Sequence, residues 1–444
     1  MDGVDPCQKS AQLHSCQEVK TSLAMYALKK ELKLNKVETS LMRGCAGFKR
    51  WVYNFGLEML TASWEFLGVK ASDSKRLDAI KQVFTQFTMQ QPEYAWMKQY
   101  PSTVYQSAFI DLKDAFTRWR KGLADFPKKK SKKKGDSFTV YKTDAPNVAN
   151  ASLSGTYPQK GKPALPFTNR VVINPGKQIK LPGLKQFRLK ERINFICSSQ
   201  TFTVSRTADK WFVSFALDVE KIPPVIHKIE KLGVDLGVKC LATCSDSEAV
   251  ASLRASGSIY EMPATTKTAK TKLSKMQWRN RNKVLGNKKT GIKASSGARK
   301  FYLKSARVSA RISNIRRDTT QKMTTDLSRK AYRIRIEDLN VSGMIANQKL
   351  AAAVSNNCFY EIRRQLTYKQ AHYGTKVELV DRWFPSSKTC SKCRHVQDMK
   401  LSDRIFNCGS CGHIQDRDEN ASRNLENACT ERCRSAPIDK VRLA

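Results

Sequence analysis

The sequence predicts a multidomain α+β protein: a small helical domain, a compact β-barrel, then an α+β domain in which two cysteine pairs precede the last helix. Three observations predict it. The apolar period changes from helical steps of three and four to alternation in twos near residue 137. Beyond residue 229, hairpin and βαβ signals mix around a central strand pair. Four of the 13 cysteines fall into two tight pairs, Cys390/Cys393 and Cys408/Cys411.

Residues 1–36 are polar and weakly patterned. Leu41, Cys45, Phe48, Val52, Phe55 and Met59 then form a helical stripe, and Tyr105, Ala108, Leu112, Phe116 and Trp119 form another, which predicts a small helical domain. A Pro-led run follows, with Lys128, Lys129, Lys130, Lys132, Lys133 and Lys134 around one serine. It suits either a solvated linker or a phosphate-contacting loop. SFTVYKT, RVVINP, KQIKLPGLKQFRLK and TFTVSRTADKWFVSFALDVE alternate as strands, with Pro182-Gly183 as a turn, which predicts a barrel over roughly 137–220. Pro223-Pro224 marks a boundary.

KLGVDLGVKCLATCS then reads as a strand turning into another strand. Basic helices span about 266–330 with a break at GNKKTGIKASSG; a strand (YRIRIEDL), a helix over 358–373, a strand (KVELVD), the cysteine pairs and a helix from about 417 follow. This order predicts a sheet of the ribonuclease H type.

Charge narrows the partners. The chain carries 80 Lys+Arg against 39 Asp+Glu, a formal net charge of +41 over 444 residues, while 40% hydrophobic content makes it globular. Repulsion of that size destabilises a compact chain unless a polyanion offsets it, so nucleic acid is the expected partner. No apolar run reaches the roughly 18 residues of a spanning helix, so no membrane is expected. The opening residues lack a signal-peptide apolar core, and an odd cysteine number suits a reducing cytoplasm better than a disulfide framework.

The cysteines read C-x2-C, 14 residues, C-x2-C. Two knuckles at that spacing close a tetrahedron around one zinc ion, and four thiolates leave no position for water, so the metal is structural. His395 and His413 are not needed as ligands.

Three acids stand out. Asp235 has Gly233 and Gly237 on its own face, leaving room for a metal and a phosphate backbone. Glu337 lies on the strand face opposite Ile334 and Ile336, and Asp338 sits at the strand's exit. Asp416 and Glu419 form an N-cap box, which puts Asp418 in the first helical turn in line with Ala421 and Leu425, toward the core. Such acids can hold two divalent ions about 4 Å apart for in-line phosphodiester hydrolysis. The residues alone leave open that each is a solvated charge or an ion-pair partner.

GVDLGVK, IEDLNVSGM, FPSSKTCSKCRHV, LSDRIFNCGSCGHIQDRDENASRNL, FKRWVYN and LKDAFTRWRKG resemble the TnpB family in order and spacing, over roughly residues 38–427. The resemblance implies an RNA-guided DNA endonuclease with a RuvC-type (ribonuclease H-like) domain. Its catalytic acids would be Asp235, Glu337 and Asp418, holding two Mg²⁺ ions, and its ribbon Cys390, Cys393, Cys408 and Cys411, holding one Zn²⁺. It implies a guide RNA and double-stranded target DNA as partners, and a prokaryotic cytoplasm with action at the nucleoid. The expected division is 1–37 as an N-terminal segment of the barrel, 38–126 helical recognition, 127–228 barrel (wedge), 229–385 nuclease, 386–415 ribbon and 416–444 the last nuclease helix and tail. Arg394 departs from the family's usual turn glycine. A nuclease-inactive regulator of the same descent would typically lack one acid, whereas all three are present. A transposase of ribonuclease H type would order its acids Asp, Asp, Glu, and this chain runs Asp, Glu, Asp.

Overall fold

The computed structural model describes residues 25–66, 72–132, 135–143, 156–157, 165–166, 170–218, 225–237, 240–245, 259–286, 291–400, 403–429 and 433–436. Lys133, Lys134 and the Pro223-Pro224 boundary lie outside them.

The chain enters through β1 (Met25–Lys33), followed by α1 (Lys36–Phe66), α2 (Asp73–Gln86) and α3 (Ser102–Arg120). Asn35 and Glu38 cap α1 reciprocally, each side chain accepting from the other's backbone N–H at 2.8 Å. Met42, Cys45, Phe48, Val52 and Leu60 of α1 are buried against Val104, Ala108, Leu112 and Phe116 of α3. Met59, placed on this stripe by steps of three and four, is 40% exposed, because a 3.6-residue period carries the core face on to Leu57 and Leu60.

The strands that follow are β2 (Ser137–Tyr141), β3 (Thr156–Tyr157), β4 (Leu165–Pro166), β5 (Val171–Ile173), β6 (Gly176–Lys180), β7 (Gln186–Ile193), β8 (Cys197–Ser199), β9 (Thr201–Thr207) and β10 (Lys210–Asp218). Five of them, together with β1, form a six-stranded antiparallel sheet in the order β2-β9-β10-β1-β7-β6. The weakly patterned N-terminal segment therefore supplies a central strand, with Leu28 opposite Phe215 and Leu32 opposite both Trp211 and Leu189.

The second unit contains β11 (Ile229–Asp235), β12 (Ala242–Cys244), β13 (Ile259–Tyr260), α4 (Ala264–Arg279), α5 (Ser296–Lys330) and β14 (Ala331–Glu337). After these come α6 (Val341–Ala346), α7 (Gln348–Asn357), α8 (Phe359–Tyr373), β15 (Lys376–Val380), β16 (Ile405–Asn407), β17 (Ile414–Asp416), α9 (Arg417–Glu426) and β18 (Cys433–Ser435). Its sheet runs β13-β12-β11-β14-β15-β18, with β11, β14 and β15 parallel. Leu232, Val234, Ile334 and Ile336 pack with Met323 and Leu327 of α5 and Ile362 and Leu366 of α8. The opposite face carries Gly233, Asp235, Arg335 and Glu337 and is covered by α9. A central parallel strand buried on both faces must satisfy any charge it carries. Arg335, 4% exposed, does so by donating to Glu378 at 2.7 Å and to the carbonyls of Glu426 and Ala428.

Candidate active site and metal centre

The ladder between β11 and β14 pairs Val234 with Ile336, so Asp235 and Glu337 stand one step further on, side by side where both parallel strands end. Asp418 comes from above, in the first turn of α9. The Asp416 side chain caps that helix, accepting from the N–H groups of Asp418 at 2.9 Å and Glu419 at 3.2 Å. Glu419 does not return a bond to Asp416; it pairs with Arg423 at 2.9 Å, so the expected box is a one-sided cap. Ala421 and Leu425 are buried as the helical spacing predicts.

Gly233 sets the height of α9 above the sheet: a Cβ there would lie 1.9 Å from the Ser422 carbonyl oxygen. At Gly237 a Cβ would lie 3.2 Å from the Cys240 carbonyl oxygen, so the close approach there is to that backbone, and the Asp418 carboxylate stands further off at 4.0 Å.

Burial raises the Asp235 carboxyl well above the usual carboxylate range, and the charges of Glu337, Asp418 and Asp416 add to the shift while Arg417 opposes it. Glu337 is also raised by burial, countered by the Ser386 hydroxyl, which donates to its carboxylate. Three mutually repelling, half-buried carboxylates with oxygen donors alone are the chemistry of a hard-cation site. Asp338 has a different role. Burial works against its carboxylate, yet Arg382, Arg363 and Arg434 together hold it below the ordinary range.

Below α9 the four cysteines could hold a metal ion. Their sulfurs all lie within 4.8 Å of one another, with Cys393 to Cys408 at 3.5 Å and Cys390 to Cys411 at 3.7 Å. The edge of a tetrahedron with 2.3 Å metal–sulfur bonds is about 3.8 Å. The two knuckles share one geometry. Cys390 N–H donates to the His395 carbonyl and Cys408 N–H to the His413 carbonyl, at 2.8 and 2.9 Å. Each turns on a left-handed residue, Arg394 with φ 65° and Gly412 with φ 66°. His413 faces Gln415 at 3.1 Å rather than the sulfurs. The three acids do not form so tight a cage; among the described residues only the cysteines bring their ligand atoms that close.

Two residues that sequence reasoning did not single out join these centres. Asn420 and Asn424 of α9 are fully buried and both donate to the Thr389 carbonyl, at 2.8 and 2.6 Å. Asn424 also bonds the Ser386 carbonyl, and Asn420 accepts from Ser391 N–H. Asparagines four apart on a helix line one face, and that spacing was their signal.

The lysine run is only partly free. Lys129 pairs with Glu58 and Lys130 with Asp111, each at 3.0 Å, and Lys130 also lies 3.9 Å from the centre of the Tyr53 ring. Lys128 and Lys132 are exposed. A second basic surface is the groove between α4 and α5, a cavity of about 1040 Å³ lined by Lys267, Lys272, Lys275, Arg279, Lys300 and Lys304.

Two family profiles match the chain: "Probable transposase" over residues 214–348 and "Cas12f1-like, TNB domain" over residues 359–425. A Streptomyces pristinaespiralis protein named "Putative RNA-guided DNA endonuclease" is 30% identical over 392 residues, covering 87% of this chain and 84% of that protein. Escherichia coli K12 "Putative RNA-guided DNA endonuclease InsQ" is 28% identical, over 75% of this chain and 76% of its own. "CRISPR-associated endodeoxyribonuclease Cas12f1" of Sulfoacidibacillus thermotolerans is 24% identical over about half of each chain, at 49% and 50%. Among solved structures, the protein of a Cas12f1–sgRNA–target DNA complex shares the fold, with a TM-score of 0.51 at 16% identity over 89% of this chain and 83% of that one.

Proposed function

The chain belongs to the TnpB family of RNA-guided DNA endonucleases, and on that premise we propose that it binds a guide RNA, recognises a short motif beside a double-stranded DNA target, and hydrolyses the target backbone at a RuvC-type site. The observation that carries the proposal is the convergence of Asp235 and Glu337 at the ends of adjoining parallel strands with Asp418 from α9.

These three residues would hold the divalent ions, for which hard oxygen donors favour Mg²⁺. Bound there, two such ions supply water activation and charge neutralisation at the leaving oxygen. The chain's own contribution is placement. The two strands fix Asp235 and Glu337 at one level, Ser386 fixes the Glu337 carboxylate, and the Asp416 cap fixes the turn bearing Asp418. Burial first, and the neighbouring acid charges second, raise the Asp235 carboxyl, and a bound cation would offset both.

We assign Cys390, Cys393, Cys408 and Cys411 to one structural Zn²⁺, supported by the thiolate donor set and the sulfur separations. The observed elements fit a helical unit over 38–126, a barrel-type wedge over 127–228 completed by the N-terminal segment 1–37, and a nuclease unit over 229–385 and 416–444 interrupted by the ribbon at 386–415. Base pairing with the guide would supply sequence specificity, while the protein reads backbone and shape. The α4–α5 groove and the exposed lysines Lys128 and Lys132 are its candidate phosphate contacts.

The test is cleavage by guide-loaded protein in Mg²⁺. Asp235→Ala abolishes cutting and leaves guide binding intact; cutting that persists in this variant defeats the assignment.

A further inference from the structure

Scattered apolar side chains on a surface need no explanation, but Trp383 is placed differently. It is 84% exposed at the apex of a turn whose two ends are both fixed to Glu337. At one end Val380 is the ladder partner of Glu337, and at the other Ser386 donates to the Glu337 carboxylate. Trp383 stands three chain positions from each anchor, so its Cα lies within about 11 Å of both at 3.8 Å per step. The turn is locked: the Asp381 side chain accepts from Trp383 N–H at 2.8 Å, and Phe384 N–H bonds the Asp381 carbonyl at 3.0 Å.

The surroundings are cationic. Arg382 and Arg434, with side chains 44% and 63% exposed, share the buried Asp338 carboxylate with Arg363. One carboxylate cannot occupy the five N–H donors of each of three guanidiniums, so outward donors remain. Counting Asp338 and Asp381, three cations face two acids.

We propose that Trp383 is a stacking platform for an unpaired base of the DNA strand entering the carboxylates, with Arg382 and Arg434 contacting its phosphates. A paired base hides its faces in the duplex, whereas an indole beside guanidiniums is how proteins grip single strands without reading sequence. Trp383 thereby acts as a positioning residue that holds the scissile phosphate in register with Asp235, Glu337 and Asp418. This inference rests on the endonuclease reading for the strand's destination, so its test has a readout that does not need cutting.

The experiment uses full-length, guide-loaded protein. The first readout is the cutting rate of the unsubstituted protein, Trp383→Ala and Trp383→Tyr. The second, in an Asp235→Ala background, is quenching of 2-aminopurine placed in the target strand near the cut or, separately, in the guide RNA. Loss of one stacking contact predicts that Trp383→Ala cuts roughly tenfold more slowly, with target binding changed less than twofold. Trp383→Tyr restores most of the rate, and quenching in the DNA strand disappears with the alanine. Equal loss in the Ala and Tyr variants, an unchanged rate and quench in Trp383→Ala, or quenching confined to the guide RNA would overturn it. If the unsubstituted protein binds its target but never cuts, the endonuclease reading fails, while Trp383-dependent quenching in the DNA still sustains the platform.

Discussion

Arg394 and Gly412 occupy equivalent turns of the two knuckles, both left-handed. Only glycine adopts that backbone without penalty, and an arginine there costs on the order of 1 kcal/mol. What Arg394 returns is a hydrogen bond to Asn424 at 3.2 Å, tying the knuckle to α9. Arg394→Ala keeps the strain and loses the contact, whereas Arg394→Gly loses both. The glycine variant should therefore melt above the alanine variant by about 1 kcal/mol of stability, with the metal content of both unchanged. Lys369 illustrates a buried cation. Its ammonium donates to the Gln321 carbonyl and to the hydroxyls of Thr324 and Thr325, at 3.0, 2.7 and 2.7 Å. Burial, with Arg329 adding, lowers its pKa from 10.5 to about 7. Between those values the unfolded chain holds a proton that the folded chain does not, so this group adds stability as pH rises through the window. Thermal melts at pH 7 and pH ~9.5 should show that gain in the unsubstituted protein relative to Lys369→Met, which lacks the titration.

At the scale of elements, the position of α9 is the controlling quantity. It carries Asp418, lies against Gly233 and, through Asn420 and Asn424, holds the Thr389 carbonyl beside Cys390. Gly233→Ala inserts a methyl into the Ser422 carbonyl and pushes the helix outward. Displacing a catalytic group by about 1 Å costs on the order of a hundredfold in rate, so this variant should bind guide and lose cutting to that extent in single-turnover assays. How legible such elements are depends on where their partners lie. The cysteine spacing and the Asp416 cap are local, and both could be read along the chain. β1 could not: Lys30 interrupts the Leu28 and Leu32 face and is satisfied by Glu191, while its strand partners on β7 and β10 lie over 150 residues away. For the same reason the three acids were visible from their neighbours in sequence, whereas Ser386 on Glu337 and the arginines on Asp338 were not, because only folding brings them there.

At the scale of the whole molecule, the +41 charge is distributed between cations already paired and cations facing solvent. The α4–α5 groove belongs to the second class, and its role is measurable by salt. Replacing Lys272, Lys275, Lys300 and Lys304 with glutamine should weaken guide RNA binding at low ionic strength. If each lysine contacts a phosphate, the slope of log affinity against log salt becomes shallower by about 2–3, near 0.7 per contact on a single strand. Fluorescence anisotropy across a salt series checks it. The chain order of the acids has a temporal consequence as well. Asp235 and Glu337 leave the ribosome first, and Asp418 follows only after the ribbon, 183 residues behind Asp235. At 5–20 residues per second that interval is about 10–40 s. The basic helices are themselves complete only at Lys330, 88 residues before Asp418, so for about 4–18 s of that interval the nascent chain offers them to nearby RNA while still lacking the third acid of the proposed site: capture during translation would precede competence.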